Sequence, residues 1–249
     1  MKYISVVDFA EKHGVSERTA RNYCAVGKIE GALLIGKTWS IPEDAVLPQR
    51  KRKTTEVMPL LLVLREQKEM KHKGGIYHRT QIDLTYNSNH IEGSRLSREH
   101  TRYIFETNTI GIEGESISVD DIIETTNHFR CIDIIIERAH ERLSEGIIKE
   151  LHSVLKSGTS DSRKDCFVVG EYKRLPNEVG GNATVLPENV SKEMKTLLHG
   201  YNSKKVKNID DILDFHQRFE AIHPFQDGNG RVGRLDNYKS ILDYFRIDY

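Results

Sequence analysis

The sequence predicts a mainly α-helical protein with one small β-hairpin, preceded by a compact N-terminal unit of mixed helix and strand. Three observations carry this. Apolar residues recur at helical spacing almost throughout the chain after Glu56. One β-prone stretch, about 166–186, interrupts that pattern. Residues 1–48 hold their own helix and strand signals and are followed by a basic polar run. At 249 residues the chain can bury one good-sized core and carry a small appended domain.

In the first unit, Val6, Val7, Phe9 and Ala10 form the apolar face of a short helix that ends at His13-Gly14. Ser16 then stands as an N-cap before a second helix carrying Ala20, Tyr23 and Cys24. Leu33-Leu34-Ile35 and Thr38-Trp39-Ser40-Ile41 follow as two short strands about the turn Gly36-Lys37. Helix, Gly-containing turn, helix and a two-stranded wing resemble the winged helix-turn-helix of excisionase and MerR-type regulators. That resemblance implies that Ser16, Arg18, Thr19 and Arg21 face phosphates and bases. Two uses fit the shape: DNA binding, and a docking module that touches no DNA. Residues 1–53 carry ten Lys and Arg against six Asp and Glu, a net of +4 in a chain whose total is zero. This excess leans toward an anionic partner. Residues 49–55 read as a basic linker.

The remaining 56–249 read as helix after helix. Pro59 suits the first turn of a helix carrying Leu61, Leu62 and Leu64. A helix from Tyr77 to Ile91 ends at Gly93, another begins at Ser97, and Ser118 caps one that extends past Ile136. Ile147 to Leu155, 188–201, 208–222 and Gly230 to about Tyr244 complete the set. Within the β-prone stretch, Cys166–Gly170 and Val179–Leu186 are expected to pair as a hairpin projecting from the helical body.

The chemistry is concentrated in Ile222-His223-Pro224-Phe225-Gln226-Asp227-Gly228-Asn229-Gly230-Arg231-Val232-Gly233-Arg234. One helix ends before this loop and another starts within it. Gly228, Asn229 and Gly230 allow close approach of backbone to ligand, and their N–H groups add to the positive end of the next helix. Arg231 and Arg234, three apart, extend that anion site with planar forks suited to phosphate. Asp227 offers a hard oxygen for Mg²⁺, and His223 is the side chain best able to take a proton near neutral pH. A calcium loop does not fit, because arginines stand where further oxygen ligands and a closing Glu would be required. The reading is phosphoryl-type chemistry on a magnesium nucleotide.

HPFQDGNGRVGR matches, at every defined position, the signature HxFx(D/E)GNGRxxR of the Fic (filamentation induced by cyclic AMP) family, and residues 56–249 resemble that family's core. The resemblance implies a helical Fic domain with a β-hairpin flap, transferring AMP from ATP to a Tyr, Thr or Ser hydroxyl of a protein. By position, His223 would be the base, Phe225 a buried anchor and Asp227 the Mg²⁺ ligand. Gly228, Asn229 and Gly230 would form the anion hole, with Arg231 on the phosphates and Arg234 on the γ-phosphate. The flap would clamp the target segment by strand addition.

Ser88-Asn89-His90-Ile91-Glu92-Gly93 matches the family's inhibitory motif, (S/T)xxxE(G/N), within a helix at about 85–93. Ser88 and Glu92 share a helix face, so a carboxylate there could pair with Arg234 and take the γ-phosphate's place. The same class suggests that Glu92 can also support removal of AMP from a modified target. Fifteen residues follow Arg234, fewer than usual for the family. Tyr238, Ile241, Leu242 and Phe245 are expected to keep an apolar stripe there despite Asp236 and Asn237.

Cys24, Cys131 and Cys166 are odd in number and far apart, with no CxxC pair, which argues against a disulfide framework or a structural zinc. Free thiols and a charged N-terminus without a signal-peptide pattern suit the cytoplasm. No run is long enough for a transmembrane helix, the longest apolar stretch being Leu60 to Leu64. Expected partners are a hydroxyl-bearing protein substrate, the chain itself through automodification, DNA through residues 1–48, and a second copy in a homo-oligomer. The competing functional class is a DNA-binding transcriptional regulator whose Fic part acts as a ligand sensor.

Overall fold

A computed structural model describes residues 2–48, 60–111 and 116–244, so the basic linker 49–55, Pro59 and Phe245 lie outside the described residues. The chain divides into two compact units, Met1–Val57 and Met58–Tyr249.

In the first unit, β1 (Tyr3–Ser5) runs into α1 (Val6–His13), followed by α2 (Glu17–Ala25), β2 (Leu33–Ile35) and β3 (Thr38–Pro42). Ser5 and Asp8 form a reciprocal capping box at α1, and Ser16 caps α2 through the Thr19 N–H. The strands form an antiparallel sheet in the order β1-β3-β2, with Ile4 opposite Ile41 and Leu34 opposite Trp39. Strand β1 is an addition to the two strands read from sequence. It escaped notice because three residues running straight into a capped helix leave no period-two pattern. Val6, Phe9, Ala10, Ala20, Cys24, Ile29 and Ile41 fill the core. Val7, expected on the apolar face of α1, is exposed instead.

The second unit contains α3 (Leu60–Glu69), α4 (Ile76–Ile91), α5 (Arg98–Thr107), α6 (Val119–Glu137) and α7 (Glu145–Lys156). After the hairpin of β4 (Glu178–Val179) and β5 (Asn182–Ala183) come α8 (Pro187–Ser203), α9 (Ile209–Ile222) and α10 (Asn229–Tyr244). The core is built around α6 and α7: Ile132, Ile135, Ile136, Ile148, Leu151 and Leu155 are wholly buried and meet Val190, Phe219, Phe225, Val232 and Leu235. Helices α9 and α10 pack closely at Gly233, where a Cβ would collide with the Glu220 carboxylate. No helix among the described residues is long and apolar enough to cross a membrane.

The hairpin is shorter than expected. Glu178 pairs with Ala183 and Val179 with Asn182, while Cys166–Gly170 forms no strand. Gly180 and Gly181, both at positive φ (57° and 78°), make the tight turn. Positive φ at both central residues matches the right-handed twist of a two-residue hairpin. The apolar signal at 166–170 has another cause: Phe167 is buried beside the His152 ring, and Gly170 donates its N–H to that ring.

Candidate active site at the α9–α10 loop

Helix α9 ends because His223 takes a left-handed conformation (φ 51°, ψ 64°), its N–H bonding the Phe219 carbonyl. Such a conformation is uncommon for a residue with a Cβ, and it turns the chain sharply into the loop. Phe225 is fully buried, and Asn229 grips its backbone from both sides: the Phe225 N–H donates to Oδ1 at 2.7 Å and Nδ2 donates to the Phe225 carbonyl at 2.8 Å. Helix α10 starts at Asn229, and the first N–H groups of a helix have no partner within it. With Gly228 at φ 81°, this leaves a cluster of donors at a positive helix end.

The floor of the loop is α7. His152 stacks on Phe225 with centroids 3.9 Å apart and planes 3° from parallel. Its Nδ1 accepts from the Gly170 N–H at 2.9 Å, so Nε2 carries the proton and donates to the Asp227 carbonyl at 3.1 Å. Burial pushes the His152 pKa down to about 4 and keeps the ring neutral. One turn on, the buried Lys156 ammonium bonds Asp227 Oδ2 at 2.6 Å, Glu124 Oε1 at 2.5 Å and Asp161 Oδ2 at 3.1 Å. Burial opposes the charge on Lys156, but the carboxylates outweigh it and raise its pKa. For Asp227, burial pulls upward, but Lys156, Arg231 and the Gly228 N–H together more than reverse it, so its carboxyl sits below its usual value.

The two arginines of the loop part company. Arg231 is buried and pairs with Glu124, with Asp227 Oδ2 at 3.4 Å from Nη2. Arg234 turns to α4: Nε donates to Ser88 Oγ at 3.0 Å, and Nη2 donates to the Ser88 carbonyl at 3.1 Å and to Glu92 Oε1 at 2.5 Å. Gly93, at φ 93°, follows Glu92 where α4 stops. A Cβ on Gly230 would overlap Glu92 Oε1, so the Glu92 carboxylate stands over the N-terminus of α10 as well as against Arg234.

His223 lies opposite. Its Nδ1 is buried and unpaired, with Glu220 Oε2 at 3.9 Å. Burial lowers its pKa below 6.5, and the nearby Lys173 adds to the effect against the pull of the Glu220 backbone, Asp227 and Glu92. A neutral imidazole at pH 7 is the form that can accept a proton.

The structure thus brings His223, Asp227, Gly228, Asn229, Gly230, Arg231 and Arg234 to one loop, with Ser88 and Glu92 facing it from α4. Asn229 and Arg231 do more structural work than their motif positions suggested, since the amide and the guanidinium are engaged internally. Sequence reading passed over Glu124, His152, Lys156 and Lys173. The one available signal was His152 and Lys156 at i, i+4 on an apolar helix, where a Lys on the buried side demands an acid partner. In the N-terminal unit, Arg18 is exposed, Arg21 pairs with Glu17 at 2.8 Å, and Ser16 and Thr19 bond each other at the start of α2.

Asp227 fits a magnesium ion of the kind held mainly by nucleotide phosphates: its carboxylate is nearly half exposed beside a helix N-terminus. Among the described residues, no group of three or more His, Cys, Asp and Glu side chains could hold a metal by itself.

A helical domain presenting a glycine-rich loop, a helix N-terminus, two arginines and a neutral histidine has the parts needed to grip an anion beside a base. Residues 142–237 match the model of the Fic/DOC family. The chain is similar to the protein adenylyltransferase fic-1 of Caenorhabditis elegans, at 29% identity over 161 residues, covering 63% of this chain and 30% of that protein. Similarity to the protein adenylyltransferase Fic of Aedes aegypti is 29% over 158 residues, covering 62% and 30%. The chain therefore spans about 30% of the length of these curated relatives. A Fic-domain-containing signaling protein from Bacteroides thetaiotaomicron superposes with a TM-score of 0.59 at 25% identity, covering 74% of this chain and 72% of that one. The fold is also that of a Caenorhabditis elegans Fic-1 fragment, with a TM-score of 0.56 at 22% identity, covering 74% and 57%.

Proposed function

We propose that this chain transfers AMP from ATP to a Tyr, Thr or Ser hydroxyl of a protein, and that Glu92 restrains the reaction. The observation that carries the reading is the Glu92 carboxylate held by Arg234 over the N-terminus of α10, where a nucleotide phosphate would sit. The first N–H groups of α10, with Gly228 at positive φ, would receive the phosphates. His223 would take the proton of the target hydroxyl through Nε2 as the hydroxyl oxygen bonds the α-phosphorus. The bond from that phosphorus to the α,β-bridging oxygen breaks, and pyrophosphate leaves. Mg²⁺ on Asp227 would neutralise charge developing on the phosphates. The hairpin 178–183 would align an extended target segment by strand addition. With Glu92 paired to Arg234, the γ-phosphate lacks its arginine and ATP binds weakly or misaligned. The relatives named as protein adenylyltransferases support this assignment.

The reading extends to automodification, to removal of AMP assisted by Glu92, to assembly with a second copy, and to DNA recognition by residues 1–48. The test incubates wild type, Glu92→Gly and Glu92→Gly/His223→Ala with Mg²⁺ and ATP labelled on the α-phosphate. Label entering the protein strongly in Glu92→Gly alone supports both the transfer and the restraint. Equal labelling of Glu92→Gly and the double variant removes His223 from the chemistry.

A further inference from the structure

Lys173 is buried, yet among the described residues no carboxylate lies within ion-pair distance of it. Its ammonium is bound only by neutral oxygens: Asn177 Oδ1 at 2.6 Å, Thr184 Oγ1 at 2.6 Å and the Ile222 carbonyl at 3.3 Å. A buried cation without an acid is costly, and burial pulls the Lys173 pKa down to about 8, which leaves the ammonium charged below that pH. Those oxygens come from either side of the hairpin and from the peptide that leads into His223. The same segment holds the residues that follow the histidine. The Lys173 N–H donates to the Pro224 carbonyl at 2.8 Å, Asn177 Nδ2 to the Phe225 carbonyl at 3.0 Å, and the Leu175 N–H to Gln226 Oε1 at 3.2 Å. Thr184 closes the arrangement by bonding Asn177. The hairpin base therefore grips the chain on both sides of His223, whose left-handed backbone would otherwise be free to relax.

We propose that Lys173 is a positioning residue for His223: it fastens the hairpin to the loop and supplies a positive charge near the imidazole. The role of His223 as base rests on the functional reading above; the mechanical and electrostatic link does not. The charges facing His223 are Lys173 from the hairpin segment, Glu220 from α9, Asp227 from the loop and Glu92 from α4. Lys173 is the one cation of these, so it opposes protonation of the ring while the three acids favour it.

The experiment is an NMR titration of the His223 ring in the full, nucleotide-free chain, with amide hydrogen exchange across 178–184. Lys173→Met is expected to raise the His223 midpoint by about half a pH unit, a roughly threefold change in the protonation ratio, and to speed exchange in the hairpin. Lys173→Arg keeps the charge and is expected to hold the midpoint near wild type. Asn177→Ala retains the lysine and is expected to loosen the hairpin without moving the midpoint, so the proposal stays testable if Lys173→Met folds poorly. A midpoint and exchange pattern unchanged in Lys173→Met would overturn it, as would a midpoint that moves equally in Asn177→Ala. Because no nucleotide is present, absence of AMP transfer would count against the functional reading alone.

Discussion

Glu92 and Arg234, on different helices and 142 positions apart, meet at 2.5 Å, and the same arginine also binds the Ser88 hydroxyl and carbonyl. Both side chains keep partial access to solvent, 30% for Glu92 and 23% for Arg234. A pair of this kind contributes at most about 1 kcal/mol to the fold. In the proposed function its weight falls on whatever anion would otherwise occupy Arg234.

Glu92→Gly is therefore expected to leave the thermal midpoint nearly unchanged while tightening ATP binding by about tenfold, as expected for freeing one charge-assisted contact. Calorimetric titration with Mg-ATP checks this. A large loss of stability with no gain in affinity would make the pair structural.

The stack of His152 on Phe225 predicts a different kind of effect. His152→Phe keeps a ring on Phe225 but leaves the Asp227 carbonyl and the Gly170 N–H unpaired. The expected loss is about 1–3 kcal/mol in a urea unfolding measurement, with the loop rather than the core disturbed.

Lys156→Met should be costlier. It strands Asp227, Glu124 and Asp161 around an apolar side chain, and removing one partner of a buried pair typically destabilises by about 3–5 kcal/mol. A denaturant midpoint close to wild type would show that these acids find other partners.

These residues also mark how far the sequence could be read. Helical periodicity located the helices of the second unit, and the His223–Arg234 motif located the loop, because both are local signals. The Ser88–Glu92 spacing on α4 was legible for the same reason. The floor of the site was not: tertiary packing brings Lys156 to Glu124 across 32 positions and to Asp227 across 71, with His152 one turn before the lysine. The hairpin was overextended because Phe167 and Val168 look like strand residues, while Phe167 is instead buried beside His152.

Asp236, noted from sequence as an odd residue for a buried helix face, has no exposure, and both its oxygens are unpaired. Burial raises its pKa well above 3.8, with Lys239 opposing. A raised folded value means its contribution to stability is complete below pH 3.8 and is lost as pH rises toward the folded pKa. Asp236→Asn is thus expected to be more stable than wild type at pH 7, with the gap closing as pH falls toward 4. Urea midpoints across that range provide the check.

With His223 as the base of the proposed transfer, its lowered pKa sets the expected pH dependence. A base works when neutral, so the rate of Glu92→Gly should fall on acidification through a midpoint below 6.5, the ordinary histidine value. Initial rates across the acidic range give that midpoint.

The central claim is that AMP, rather than phosphate, moves to a protein hydroxyl. The most direct measurement supplies Glu92→Gly with Mg²⁺ and ATP labelled in turn on the α- and the γ-phosphate, and counts label bound to protein. The account predicts label from the α position only, abolished by His223→Ala. Label from the γ position would contradict it.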